Sequence, residues 1–254
     1  MILDSFRLDG KVALVTGSNR GLGNAAALAL AEAGADVALL ERSAGSETAA
    51  RIEALGRRVH TVHADLTTAT SAELAAAVAE VVDVLGSVDI LVNNAGTIRR
   101  APAVDYSVAD WDDVLTVNLG AVFHLSQAAG RHMIEAGSGR IINVASMLSF
   151  QGGMFVPAYT ASKHAVAGLT KALANEWAAS GVTVNAIAPG YMATDNTAAI
   201  RADADRESSI LARIPAARWG TPTDLQGAFV FLASDAAAYV TGAVIPVDGG
   251  WLAR

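Results

Sequence analysis

Tyr159 and Lys163 stand four residues apart, which is the spacing of two side chains on one face of a helix. Both polar tips would then reach the same pocket. The pKa of a tyrosine is normally about 10. Tyrosine exchanges a proton near neutral pH only if a positive charge stabilises its anion. Lys163 can supply that charge. The pair therefore predicts an enzyme in which Tyr159 is a general acid or base.

The composition limits the kinds of protein that this chain can be. Its 254 residues are 52% hydrophobic and 17% charged, which suits one large α/β domain with a sizeable core. The net charge is −7 and the basic residues are scattered, so we expect a small-molecule partner rather than a nucleic acid. Zero cysteines exclude disulfides and thiolate chemistry and fit a reducing compartment, so the expected location is cytoplasmic. We expect neither a signal peptide nor a membrane span.

Short apolar runs alternate with longer alanine-rich stretches, which is typical of a parallel sheet covered by helices on both faces. The expected strands are Val12–Val15, Val37–Leu40, Val59–Val62, Ile90–Val92, Ile141–Val144, Val184–Ile187 and Ala243–Val247. The expected helices are Leu22–Ala33, Ser71–Leu85, Ala109–Ala136, Ala158–Ala179 and Thr223–Ser234. No linker, charge run or repeat marks a boundary, so the sequence predicts a single-domain α/β fold with a seven-stranded parallel sheet.

The segment 193–215 interrupts this alternation because it is more polar than its neighbours. It is expected to leave the core between the sixth strand and the last helix. Two interpretations are open for it, a mobile lid over a substrate and a solvated surface helix.

A glycine-rich turn follows the first expected strand and leads directly into a helix. Glycines let the backbone approach phosphate oxygens, and the N-terminus of a helix offers unpaired N–H groups. The order strand, turn, helix therefore predicts a pyrophosphate site and a Rossmann fold. The expected cofactor contacts in this turn are Gly17, Asn19, Arg20, Gly21, Leu22 and Gly23.

Acidic residues close the next two strands. Glu41 can accept hydrogen bonds from the adenosine ribose hydroxyls, which favours NAD over NADP. Arg42 follows immediately and could attract the 2′-phosphate of NADP instead. Asp65, with Leu66, is expected to bind the adenine; the alternative is that Asp65 caps a helix.

Small residues and carboxamides close the fourth strand in Asn93-Asn94-Ala95-Gly96, where they would let a dinucleotide lie across the strand ends. Asn93, Ala95 and Gly96 are the expected contacts. Together with the glycine-rich turn, Asn118, Ser146, Tyr159-x-x-x-Lys163 and Pro189-Gly190, this block resembles the short-chain dehydrogenase/reductase family across the whole chain. The resemblance implies hydride transfer with a nicotinamide dinucleotide in a homotetramer; Glu41 favours NAD as that dinucleotide and makes NADP less expected.

The resemblance also implies roles for four catalytic residues. Tyr159 would exchange the proton of the substrate oxygen, and Ser146 would steady that oxygen. Lys163 would bind the nicotinamide ribose and lower the pKa of Tyr159. Asn118 would hold a water linked to Lys163. Taken singly, Ser146 could instead cap the end of a strand, and Asn118 could be a satisfied polar residue inside a helix.

The end of the sixth strand is implied to orient the nicotinamide for hydride transfer by holding its carboxamide. The residues concerned are Pro189, Gly190, Met192 and Thr194. Without the resemblance, Pro189-Gly190 reads only as a turn.

Further blocks, among them Ala145–Gly153 and Val247–Arg254, resemble family members that act on sugar acids. They imply a substrate with a keto or hydroxy group on a deoxy hexonic acid. Arg99 and Arg100 are candidates for binding its carboxylate, or they are a solvated surface pair. The expected substrate residues are Arg99, Arg100, Ser146, Gln151, Met154 and Tyr159.

Other functions stay open at this point. A different family member could act on another sugar acid or on a carrier-bound oxoacyl group, although the scarcity of lysine argues against docking to an acidic carrier. A dinucleotide-binding regulator without activity would not need all four catalytic residues. His60 and His63 lie three apart on an expected strand and would point to opposite faces, so no metal is predicted.

Overall fold

The structure, a computed structural model, describes residues 1–43 and 47–254. Seven parallel strands form one sheet in the order β3-β2-β1-β4-β5-β6-β7. They are β1 (Val12–Thr16), β2 (Asp36–Glu41), β3 (Val59–His63), β4 (Ile90–Asn93), β5 (Gly139–Val144), β6 (Val182–Pro189) and β7 (Val244–Val247). The expected strands and the single-domain Rossmann fold are therefore confirmed.

Helices cover both faces of the sheet. They are α1 (Gly21–Glu32), α2 (Glu47–Ala54), α3 (Ser71–Leu85), α4 (Val108–Leu115), α5 (Ala121–Ala136), α6 (Pro157–Trp177), α7 (Ala198–Arg201), α8 (Ala204–Leu211) and α9 (Gln226–Ala233). One core lies under α3, α5 and α6, and the other under α1, α2 and α9. Within β1, Val12 and Leu14 pack into the first core while Ala13 and Val15 pack into the second. Burial on both faces explains why the strand is a continuous apolar run.

Two helical features differ from the expectation. The crossover helix α2 was not predicted, because it has only two turns and buries little besides Thr48 and Ile52. The expected helix Ala109–Ala136 is interrupted by a π turn, Thr116–Gly120, which joins α4 to α5. Such turns insert one residue into the helical ladder and leave no simple trace in the hydrophobic periodicity.

The polar segment 193–215 folds into two short helices, α7 and α8, outside the main cores. Its residues Ile210 and Ile214 are buried in a separate small apolar cluster together with Met147 and Trp251. In the described residues, no helix combines the length and apolarity that crossing a bilayer requires.

The strand order places β1 beside β4 in the middle of the sheet. The chain leaves β1 towards β2 and β3 on one side, then returns to β4 and continues towards β7 on the other. At such a switch point the loops after the two central strands diverge and open a crevice at the carboxyl edge of the sheet. The predicted cofactor turn and the Asn93–Gly96 block both end at this crevice.

Candidate active site

The glycine-rich turn has the backbone that a pyrophosphate site needs. Gly17 and Gly21 adopt left-handed conformations with φ of 63° and 57°, which side chains disfavour. A Cβ at Gly23 would collide with the carbonyl oxygen of Gly17, so α1 packs directly against the turn. The N-terminus of α1 has no side-chain cap, and its first N–H groups face the turn.

At the end of β2, the Glu41 carboxylate is buried and accepts a hydrogen bond from the Ser18 hydroxyl at 3.0 Å. Thr48 of α2 donates to the carbonyl oxygen of Ser18 at 3.0 Å and so braces the same turn from the other side. Arg42 is exposed. The buried Glu41 side chain and the exposed Arg42 side chain thus both lie at the end of β2, where the ribose is predicted to bind.

Asp65 caps a turn rather than a helix. Its Oδ1 accepts hydrogen bonds from the backbone N–H and the hydroxyl of Thr67, at 3.0 and 2.7 Å. These bonds, with a smaller contribution from the charge of Arg42, hold the pKa of Asp65 below its usual value. Leu66 is buried beside it. Asp65 therefore caps a turn and not the helix of the alternative interpretation, because Thr70 is the N-cap of α3; adenine binding by Asp65 stays a prediction.

The block after β4 is locked to the end of β1. The Asn94 side chain donates to the carbonyl oxygens of Thr16 and Gly17, at 2.9 and 3.1 Å. The N–H groups of Asn94 and Ala95 donate to the Thr16 hydroxyl, at 3.0 and 2.9 Å. Sequence reasoning did not single out Asn94, whose position directly after β4 was the available signal. Its bonds hold the glycine-rich turn in register with the crevice.

The Asn93 side chain points into the protein interior instead of the crevice. Its Nδ2 donates to Ser126 of α5 at 3.0 Å and to Asn143 of β5 at 2.9 Å. Asn143 in turn donates to Thr170 of α6 at 3.0 Å. All four side chains are buried, so any contact of Asn93 with a cofactor would come from its backbone. This network ties α5, which follows the π turn of Asn118, and α6, which carries Tyr159, to the centre of the sheet.

Replacing Asn143 with Ala should lower the free energy of unfolding by about 1–3 kcal/mol, because Asn93 and Thr170 each lose a buried partner. Urea denaturation at a fixed protein concentration measures this. Thr183→Val is the matched control: the Thr183 hydroxyl is buried in the neighbouring β6 and has no hydrogen-bond partner among the described residues. Equal losses in the two variants would show that the network does not stabilise the fold.

Ser146 and Tyr159 meet at the carboxyl end of β5. Ser146 is buried and accepts a hydrogen bond from the backbone N–H of Leu148 at 3.1 Å, so it does cap the short turn that follows. The Ser146 side chain is also close enough to Tyr159 to act on it, since Ser146 lowers the pKa of the Tyr159 hydroxyl. Both interpretations of Ser146 are thus compatible, because the cap holds the hydroxyl in place beside Tyr159.

The pKa of Tyr159 does not follow the expected direction. Burial raises it, and the hydrogen bond from Ser146 and the charge of Arg100 only partly oppose that rise. Lys163 lies with its Nζ 5.6 Å from the centre of the Tyr159 ring and donates to the carbonyl oxygen of Val144 at 2.6 Å. Burial lowers the pKa of Lys163 to about 8. The protein groups alone therefore do not produce the lowering of the Tyr159 pKa that was predicted from Lys163. Desolvation of the phenolate outweighs the charges around it.

Asn118 lies in the π turn and is fully buried. Its Oδ1 accepts from the N–H of Thr97 at 2.8 Å, and its Nδ2 donates to the carbonyl oxygen of Thr97 at 2.9 Å and to Ser162 at 3.2 Å. The side chain is therefore satisfied by protein groups and fastens the loop after β4 to α6. Gly96 lies against it, since a Cβ there would be 3.3 Å from Asn118 Oδ1.

The segment after β6 reaches over the glycine-rich turn. The methyl group of Thr194 would lie 3.8 Å from a Cβ at Gly21. Arg20 forms an exposed ion pair with Asp195 at 3.1 Å. The predicted nicotinamide segment, from Pro189 and Gly190 through the buried Met192 to Thr194, thus faces the predicted pyrophosphate turn across the crevice.

The two candidate arginines have different surroundings. Arg99 forms ion pairs with Asp110 at 3.5 Å and Asp113 at 2.5 Å, both on α4. Arg100 is exposed and has no ion pair with the described residues, yet its charge acts on Tyr159. Of the two arginines, Arg100 is the one whose charge acts on Tyr159, the predicted general acid.

The loop after Ser146 lies beside these arginines. The carbonyl oxygen of Phe155 accepts a hydrogen bond from the N–H of Ala101 at 3.0 Å. Gln151 is half-buried and Met154 is 82% exposed, so Met154 contacts a substrate only if the substrate extends to this rim. Within the described residues, no group of three His, Cys, Asp or Glu side chains is arranged to hold a metal ion.

Comparison with known proteins identifies the family. A family model described as short chain dehydrogenase matches residues 11–205. A protein from Dickeya dadantii (strain 3937), named 2-dehydro-3-deoxy-D-gluconate 5-dehydrogenase, is 55% identical over 100% of both chains. A solved structure from Beutenbergia cavernae with NADP bound at low occupancy is 54% identical, covers 98% of this chain and 100% of that chain, and has a TM-score of 0.94. A gluconate 5-dehydrogenase from Burkholderia cenocepacia J2315, in complex with NADP and tartrate, is 41% identical over 100% of both chains, with a TM-score of 0.95.

The matched ranges include the residues of the glycine-rich turn, Ser146 and Tyr159. The chain therefore belongs to the short-chain dehydrogenase family, and it is an oxidoreductase that acts on hydroxyl or keto groups.

Proposed function

We propose that the protein is an NAD-dependent dehydrogenase that interconverts a keto and a hydroxy group on a deoxy hexonic acid. The observation that supports this best is the position of Arg100: its guanidinium is exposed in the loop after β4, has no ion pair with the described residues, and lowers the pKa of Tyr159. A carboxylate on the substrate would complete that pairing. The name of the Dickeya relative and the tartrate bound to the Burkholderia relative point to the same class of small acids.

In the proposed mechanism Tyr159 donates its proton to the substrate oxygen during reduction and removes it during oxidation. Ser146, fixed by its bond to Leu148, donates a hydrogen bond to the same oxygen as charge develops there. The dinucleotide supplies or accepts the hydride when it is bound. The positive charge of oxidised nicotinamide would favour the phenolate that burial of Tyr159 disfavours.

Lys163 and Asn118 have supporting roles in this mechanism. Lys163 would exchange its bond to Val144 for the nicotinamide ribose, which brings its charge closer to the Tyr159 hydroxyl. The Asn118 side chain is fully engaged, so a water linked to Lys163 would be held by its backbone carbonyl, which the π turn removes from the regular helical ladder.

The cofactor site fits a dinucleotide, since an uncapped helix N-terminus faces a turn whose glycines leave room for phosphate oxygens. We propose NAD as the preferred form, because a 2′-phosphate would approach the buried Glu41 carboxylate. The NADP bound to both solved relatives supports the alternative, in which the exposed Arg42 attracts that phosphate.

Turnover of a panel of keto acids tests both parts of this proposal. The protein is mixed with NADH or NADPH and with 2,5-diketo-3-deoxygluconate, 5-ketogluconate or an uncharged keto sugar, and loss of the reduced nicotinamide absorbance is followed. We expect the highest kcat/KM with the deoxy acid, and about tenfold preference for NADH, which corresponds to about 1.4 kcal/mol.

The outcomes separate the two choices. No turnover on any acid would contradict the substrate class, while faster turnover with NADPH would contradict only the cofactor choice. Preference for 5-ketogluconate would favour the second candidate, a gluconate 5-dehydrogenase activity, which is the activity named for the Burkholderia relative.

We further propose that the protein acts as a homotetramer and that segment 193–215 is a substrate lid. Large apolar side chains that are more than one-third exposed on α4 and α5, such as Trp111, Phe123 and Ile134, support an interface between copies on this face. The position of Thr194 over the glycine-rich turn supports the lid.

A further inference from the structure

The last residues of the chain lie directly against the proposed lid. Gly249 and Gly250 are left-handed, with φ of 65° and 89°. A Cβ on Gly249 would be 3.0 Å from Ile214, and one on Gly250 would be 3.0 Å from Pro215. Only residues without side chains let the tail approach the lid this closely. We call residues 249–254 the C-terminal tail.

Polar bonds join the same two segments. The N–H of Ala216 donates to the carbonyl oxygen of Gly249 at 3.0 Å. The Arg254 guanidinium donates to the carbonyl oxygen of Ala212 at 3.0 Å. The tail is itself held in shape by Asp248, whose carboxylate accepts the N–H groups of Gly250 and Leu252, each at 2.9 Å.

Trp251 connects the tail to the lid and to the loop of residues 145–156, which joins β5 to α6, carries Ser146 and is called the catalytic loop below. It is only 5% exposed and packs in one apolar cluster with Ile210 and Ile214 of the lid and with Met147, the neighbour of Ser146. The guanidinium of Arg213 stacks over its ring at 3.9 Å. The stacked guanidinium of Arg213 adds a cation–π contact to the burial of the indole against the lid.

Tyr191 extends this contact to the nicotinamide segment. Its ring packs edge-on against Trp251 at 4.9 Å and against Trp219 at 5.4 Å. The chain reaches Tyr191 directly after Pro189 and Gly190, and a Cβ at Gly190 would come within 2.6 Å of the Asp248 Cα. One indole therefore contacts Arg213 of the lid and Tyr191 of the segment predicted to face the dinucleotide, and it shares an apolar cluster with Met147 of the catalytic loop.

We infer that Trp251 is a positioning residue, through which the C-terminal tail holds the lid against the catalytic loop and thereby sets the affinity for the substrate. The kinetic part of this inference rests on the proposed function, whereas the position of the lid can be measured without any substrate. Because Trp251 contacts the lid and not the reacting atoms, its loss should change KM more than kcat.

Limited proteolysis measures how firmly the lid is held. Trypsin cleaves after arginine, and Arg206 and Arg213 are exposed within the lid. In Trp251→Ala the rate of cleavage at these two sites should rise about tenfold or more, as expected when a local opening becomes easier by about 1.4 kcal/mol. Trp251→Phe, which keeps an aromatic ring, should fall between Trp251→Ala and the wild type. Mass spectrometry identifies the sites.

A matched control separates this effect from general loss of stability. Phe229→Leu changes a fully buried side chain of α9 in the core on the other side of the sheet from α6. It should lower the melting temperature without selective cleavage in the lid. If Trp251→Ala does not fold, Arg254→Ala and Trp251→Phe carry the test. Unchanged cleavage in these variants, or equal cleavage in Phe229→Leu, would overturn the inference.

Steady-state kinetics then connect the lid to the substrate. We expect Trp251→Ala to raise KM for the keto acid about tenfold, with kcat changed by less than about twofold. A drop in kcat with KM unchanged would contradict a positioning role. If no keto acid is turned over even by the wild type, the proteolysis result still decides whether the tail holds the lid.

Discussion

Tyr159→Phe should reduce kcat by about 10²–10⁴ because it removes the hydroxyl that is proposed to exchange a proton with the substrate oxygen. The ring stays, so the packing of α6 against the carboxyl end of β5 is retained. Binding of the reduced dinucleotide, followed by the fluorescence of its nicotinamide, should be nearly unchanged. The loss therefore appears in turnover and not in assembly of the site.

Tyr239→Phe provides the control for this variant. Tyr239 is fully exposed and lies away from the crevice, so Tyr239→Phe removes a hydroxyl group without altering the site. It should leave kcat unchanged. An active Tyr159→Phe enzyme would show that another group transfers the proton and would overturn the mechanism.

Arg100→Ala should raise KM for keto acids about 10–100-fold, since a charged hydrogen bond to a carboxylate contributes about 1.5–3 kcal/mol. An uncharged keto sugar offers no carboxylate, so its KM should change little. The pKa of Tyr159 should rise further in this variant, because the charge of Arg100 opposes the effect of burial. The alkaline limb of the pH profile should therefore move to higher pH.

Arg99→Ala is the matched control because it removes the same charge from the neighbouring position. Arg99 is engaged with Asp110 and Asp113, so its loss should destabilise the loop and α4 rather than weaken acid binding. Equal effects of the two replacements on KM, or an equal effect on the uncharged sugar, would remove the carboxylate from the proposal.

The difference between these two arginines also marks what the sequence could not supply. Both follow the same strand, and nothing in their spacing separates them. The position of α4 separates them, because Asp110 and Asp113 lie on one face of this helix and form ion pairs with Arg99. Ion pairing of this kind depends on tertiary geometry, so the sequence alone could not show which of the two arginines pairs with protein carboxylates.

The sheet was predictable for a physical reason. Strands buried on both faces must be apolar at every position, and runs such as Val12–Val15 carry that signal locally. The network of Asn93, Ser126, Asn143 and Thr170 carries no local signal, because its bonds join residues 27 to 50 positions apart. The direction of the Tyr159 pKa shift was also missed, since spacing shows a nearby lysine but not the cost of burying a phenolate.

The strand order has a practical consequence for redesigning the enzyme. Groups proposed to choose the cofactor lie at the end of β2, and the Ser146–Tyr159 pair lies at the end of β5, with β1 and β4 between them. Three strand spacings separate these ends by roughly 14 Å, which is farther than residues usually couple energetically. Changes at Glu41 and changes beside Ser146 should therefore combine additively, so that cofactor choice and substrate choice can be altered one at a time.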